Sequence, residues 1–103
     1  MADLQWTAEG RTDVDDVYDY IARRDRRPAT ADKVVRGLTA TCQWLAEEFA
    51  SGSVVGTARP DLDESARLFT YQRWVIVFHP IANGIEVMRV LDGSRDFSRL
   101  FGE

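Results

Sequence analysis

The chain has very little of three residue types that usually carry chemistry: one cysteine, one histidine and a single lysine, Lys33. A lone Cys42 forms no internal disulfide, as expected in a reducing compartment. One histidine and one cysteine far apart supply too few ligands for a metal site. No glycine-rich phosphate loop is present. No Ser-His or Cys-His arrangement is supported by the spacing, and no cofactor is expected. No apolar run approaches the ~20 residues that span a bilayer. The opening Met1-Ala2-Asp3-Leu4-Gln5-Trp6 has no basic region followed by an apolar one, so no secretory signal is expected. These absences point to a cytoplasmic protein away from the membrane.

The 103 residues are enough for one small domain, taken as residues 1–103, and 45% apolar residues are enough to fill its core. The net charge is −4, which argues against tight nucleic-acid binding by the chain alone. The bases of the second half are all arginines: Arg59, Arg67, Arg73, Arg89, Arg95 and Arg99. They form either a local positive patch or a set of salt bridges. The bias towards arginine also fits a GC-rich coding sequence.

Periodicity divides the chain into six elements. Asp3 to Trp6 reads as an edge strand. Thr7 is an N-cap, and Val14, Val17, Tyr18 and Ile21 recur at helical spacing from about Ala8 to Arg24. Asp13, Asp15, Asp16 and Asp19 fall mostly on the opposite face, and Gly10 weakens the first turns. Pro28 opens a second helix, from about Ala29 to Phe49, with Val34, Val35, Leu38, Cys42, Leu45 and Phe49 on its apolar stripe. Trp44 lies off that stripe. Cys42 lies on it and reads as a small buried hydrophobe. Ala50 to Glu64 is a loop. Strands follow at Arg67 to Tyr71, Trp74 to His79 and Ile85 to Leu91, the last two joined through the turn signal Asn83-Gly84. The order β-α-α-β-β-β describes an α+β domain, an antiparallel helical hairpin packed on a small antiparallel sheet.

The stretches Asp13 to Ile21, Ala31 to Ala46, Arg67-Leu68-Phe69, Trp74 to Phe78 and Arg89-Val90-Leu91-Asp92-Gly93-Ser94-Arg95-Asp96 occur in the order and spacing of a known family. The chain resembles the ParE/RelE toxin superfamily of bacterial type II toxin–antitoxin systems over nearly its whole length. The ending is similar to the ParE branch, with Asp92 where histidine is common.

The resemblance implies a toxin that inhibits DNA gyrase. It also implies a cognate antitoxin, ParD-like and of the ribbon-helix-helix type, whose amphipathic segment lies across the hairpin and sheet. An acidic toxin suits a basic antitoxin segment. Tyr20, Trp44 and Trp74 are the candidate antitoxin contacts, although core or hairpin packing is the commoner role for such aromatics. Arg89, Arg95, Asp96, Phe97, Arg99 and Phe101 are the candidate target contacts.

The alternative within the superfamily is a ribosome-dependent messenger-RNA endoribonuclease. That chemistry needs cations at the phosphate, for which Arg67, Arg73, Arg89 and Arg95 are available, and a group that moves protons. His79 is the only imidazole, but it sits at the strand end opposite Asp92. A third reading is a member that has lost toxicity and survives as a binding or regulatory module. The strand arginines also have a simpler role in ion pairs, Arg67 and Arg89 on neighbouring strands with Glu86 or Asp96 as partners. Arg95-Asp96 is open between an internal cap or ion pair and a target contact.

Overall fold

The computed structural model describes residues 1–94. Strand β1 (Asp3–Trp6) leads into α1 (Ala8–Asp19), which gives way to a π-helical turn at Tyr20–Arg24 before α2 (Pro28–Ala50). Three longer strands follow a two-residue strand: β2 (Thr57–Ala58), β3 (Arg67–Tyr71), β4 (Trp74–Ile81) and β5 (Gly84–Asp92). The sheet order is β1-β5-β4-β3-β2. The architecture is α+β as expected, with two differences. The stretch from Ala50 to Glu64, read as a loop, contains the short edge strand β2, which makes the sheet five-stranded. β1 runs parallel to β5, so the sheet is mixed rather than wholly antiparallel. The crossover from β1 to the rest of the sheet passes through both helices, which allows a parallel pairing that no hairpin could make.

The apolar stripes of the two helices meet the same face of the sheet. Val17, Ile21, Leu38, Cys42 and Leu45 are buried against Trp74, Ile76, Phe78, Ile85, Val87 and Val90. Phe49 stands edge-on to Phe78 with ring centroids 5.6 Å apart. Alternation along β4 assigns Trp74, Ile76 and Phe78 to this core. Val75 and Val77 point to the other face, yet they are also buried, as the unbroken apolar run suggests.

Glycine has a different role here from the one its local propensity suggests. Gly84 does not form the turn. The β4–β5 turn is Ala82-Asn83, and Gly84 opens β5 beside β1, where a Cβ would overlap the Asp3 carbonyl oxygen. Likewise a Cβ on Gly10 would come within 2.8 Å of the Val87 carbonyl oxygen. Helix propensity is given up at Gly10 so that α1 can sit directly against β5. Strand β4 also continues past His79 through Pro80. It can do so because its pairing with β3 covers only Trp74 to Phe78, and the missing N–H faces an unpaired edge.

Candidate partner-contact site

Strand β1 ends at Trp6, leaving the outer edge of β5 beyond Val87 without a strand partner. Helix α1 and its cap supply the missing groups. The Thr7 hydroxyl donates to the Met88 carbonyl at 2.7 Å while accepting from the Gly10 N–H at 3.0 Å. Asp13 accepts from the Val90 N–H at 2.9 Å and takes Arg89 through both carboxylate oxygens, at 2.7 and 3.2 Å. Helical spacing puts Asp13 on the polar face of α1, but the residue is 8% exposed and turned towards the sheet. Periodicity does not show this, because the helix meets the strand edge on that side.

The end of β5 is held by a second carboxylate. Asp92 is 1% exposed, pairs with the Arg73 guanidinium, and accepts from both the N–H and the hydroxyl of Ser94, at 3.0 and 2.7 Å. Burial alone would push its carboxyl up. The hydrogen bonds from Arg73 and Ser94 outweigh that and hold its pKa at about 2. The turn after β5 is therefore a closed ion-pair and hydrogen-bond unit. Arg73 also lies over the rings of Tyr20 and Trp74, 5.5 and 5.1 Å from their centroids, and Arg24 lies 5.2 Å from the Tyr20 centroid.

The remaining candidates are dispersed. Arg67 is on β3 and Arg89 on β5, with β4 between them, so they are not on neighbouring strands. Arg67 donates to the carbonyls of Val55 and Gly56 at 3.0 and 2.6 Å, tying down the loop before β3. Glu86, expected beside an arginine, instead meets His79 across the sheet at 2.7 Å, and the other ring nitrogen lies 3.4 Å from the Ser65 hydroxyl. His79 and Asp92 lie near opposite ends of the β4–β5 pair, ~20 Å apart at the usual strand rise. Arg95, Asp96, Phe97, Arg99 and Phe101 lie outside the described residues.

Of the aromatic candidates, Trp44 is 42% exposed on α2 and tilts against Phe69 of β3, centroids 5.5 Å apart. Tyr20 is half-buried and edge-on to Trp74, which is itself a core residue at 4% exposure. A shallow groove runs beside β1 between the helices, lined by Trp6, Arg11, Val14, Asp15 and Thr39. Burial pushes the Cys42 thiol up to about 12, so it is inert packing rather than a nucleophile. Among the described residues no group of three His, Cys, Asp or Glu side chains is placed to hold a metal ion. Among them, too, no helix is long and apolar enough to cross a membrane.

Comparison with known proteins agrees with this fold. A solved chain described as "Chromosomal ParDE TA system from P. aeruginosa" superposes with a TM-score of 0.66 at 24% identity, covering 87% of this chain and 94% of that one. At that identity the likeness concerns the fold. No curated protein sequence matches the chain. The model of the ParE toxin of the type II toxin–antitoxin system parDE matches residues 4–97, from β1 through the Arg73–Asp92 unit and beyond. The chain belongs to the ParE toxin family of type II toxin–antitoxin systems.

Proposed function

We propose that this toxin acts by binding rather than by cleavage, inhibiting DNA gyrase in the cytoplasm until a ParD-like, ribbon-helix-helix antitoxin neutralises it. The observation that carries this reading is the engagement of the strand arginines. Arg89 is held by Asp13, Arg73 by Asp92, and Arg67 by two backbone carbonyls. A ribonuclease needs such cations turned to a phosphate, with a proton carrier within hydrogen-bond reach. His79 is ~20 Å from the β5 end and is engaged by Glu86. The same side chains make a rigid platform for a partner surface.

For the antitoxin, the exposed Trp44 against Phe69 and the groove bounded by Trp6 and Val14 offer apolar anchors on one acidic molecule. An amphipathic segment with basic flanks fits both features. Tyr20, at the far end of the hairpin, is partly buried, edge-on to Trp74 and with Arg24 and Arg73 over its ring, so it is the least available of the three aromatic candidates after Trp74.

The deciding experiment uses the purified full chain. It should inhibit gyrase supercoiling and accumulate cleaved DNA–gyrase complex, and added antitoxin should reverse both effects. Cleaved messages on translating ribosomes, with gyrase untouched, would replace this reading with the endoribonuclease. Normal growth at high soluble expression would replace it with a non-toxic binding module.

A further inference from the structure

The turn between the helices contains four arginines within five positions, Arg23, Arg24, Arg26 and Arg27, in a chain of net charge −4. All four are exposed, as are Pro28, Ala29 and Thr30 beside them. Among the described residues the acids nearest in sequence are Asp25, Asp32 and Asp19, the last of which reaches Arg23 only at 3.9 Å. Arg73 joins the cluster through the Tyr20 ring it shares with Arg24, but its charge is matched by Asp92.

Folding accounts for Arg23 and Arg24, which close the π-helical turn where cations suit the helix dipole, but not for Arg26 and Arg27. Arg26 has φ +53°, in the left-handed region where glycine or asparagine is the ordinary choice. Arg27 is the N-cap of α2 and makes no side-chain cap hydrogen bond, and the first turn of α2 has no acidic residue. Cations at a helix N-terminus oppose the helix dipole, and four like charges in one turn repel one another. The choices at Arg26 and Arg27 cost the free protein stability. The electrostatic costs fall when an anion sits against the turn.

We infer that this turn is a nucleic-acid contact, gripping backbone phosphates through Arg23, Arg24, Arg26 and Arg27. Guanidinium groups match phosphate oxygens in pairs. An acidic protein partner is a poorer fit. Protein interfaces are anchored by buried apolar or aromatic side chains, and the exposed run from Arg23 to Thr30 offers no large one, the adjacent Tyr20 ring being taken up by Trp74, Arg24 and Arg73. Phosphate contact needs no such anchor. The acidic remainder of the surface repels the polyanion, so contact is oriented through this end and is weak. The inference does not depend on which target the toxin inhibits.

The test is fluorescence anisotropy of the full chain with a labelled DNA duplex of about 20 base pairs, over about 50 to 200 mM salt. The expected plot of log affinity against log salt has a slope of about −3.6, for four phosphate contacts. The triple variant R23Q/R26G/R27Q should bind at least about 10-fold more weakly and lose most of that slope. It should also melt at a higher temperature than the parent, because glycine at position 26 relieves the strained φ and the repulsion is gone. The control R36Q, on the exposed face of α2, should leave affinity unchanged. If the triple variant proves insoluble, R26G and R27Q singly should each flatten the slope by about one. Absence of binding at the lowest salt would overturn the inference, as would equal affinity of parent and variants. Tighter binding of a poly-glutamate peptide than of the duplex would also overturn it, in favour of an acidic protein partner.

Discussion

Asp13 and Arg89 lie 76 positions apart in sequence, and they join the first helix to the last strand through two hydrogen bonds at 2.7 and 3.2 Å. The same carboxylate takes the Val90 N–H, so one side chain replaces the strand that β1 fails to provide beyond Trp6. Replacing Asp13 by alanine strands a buried N–H and takes both carboxylate hydrogen bonds from a partly exposed guanidinium. The expected cost is about 2 kcal/mol, below the full penalty for a buried pair because Arg89 keeps access to water. D13A and R89A together should be less destabilising than the sum of the two, measured by urea unfolding in a double-mutant cycle. Strict additivity would show that the pair contributes nothing.

Asp92 ties stability to pH. Its folded pKa of about 2 lies below the ordinary carboxylate value, so the folded state binds fewer protons than the unfolded state in the acid range. Its contribution is therefore complete above about pH 5 and is lost as pH falls through about 2. Asp92→Asn should lower stability by about 2 kcal/mol at neutral pH, where Arg73 is left facing an amide. The difference between D92N and the parent should shrink steadily below about pH 4 and vanish only below about pH 2. Thermal melts at several pH values measure this. A gap that stays constant down to about pH 2 would assign the effect of the variant to packing.

Gly84 tests the parallel pairing of β1. An alanine Cβ there would overlap the Asp3 carbonyl oxygen and lie 3.0 Å from its N. The backbone has no rotamer with which to move aside, so β1 must shift away from β5. Gly84→Ala should cost about 2 kcal/mol or more and raise amide exchange at residues 3–6 ahead of the rest of the sheet. A melting temperature indistinguishable from that of the parent would mean that β1 is not held as described.

What could be read from the sequence follows from the range of the forces involved. The helices, the three long strands and the stripe from Val34 to Leu45 come from periodicity, which is local, and they stand in the structure with small shifts at the ends. The parallel partner of β1 is set by a contact far along the chain, between Asp3 and Gly84, and no local pattern encodes it. For the same reason Asp13 reads as solvent-facing and Gly10 as a weak point. Asp92 is legible as the residue departing from the family ending. Its meaning, a buried partner for Arg73, depends on the position of the β3–β4 turn, where Gln72 takes φ +56° to bring Arg73 round. The arginine-rich turn is visible as composition, but its cost to the fold requires the backbone angle of Arg26 and the uncapped start of α2 at Arg27.

Trp44 and Trp74 separate recognition from packing. Trp44 is 42% exposed, so truncating it removes little of the core. Trp74 is 4% exposed, lies under Arg73 and meets Tyr20 edge-on, so truncating it leaves a large cavity beneath an ion pair. Trp74→Ala should cost about 3–5 kcal/mol, enough to unfold a domain of this size on its own or nearly so. Trp44→Ala should change stability by less than about 1 kcal/mol, the small loss coming from its contact with Phe69. If the α2–β3 seam receives the antitoxin, W44A should weaken that complex at least about 10-fold by calorimetry, as expected of an aromatic anchor, with the far-ultraviolet spectrum unchanged. Unchanged antitoxin affinity in folded W44A would move the antitoxin to the groove beside Trp6 and Val14.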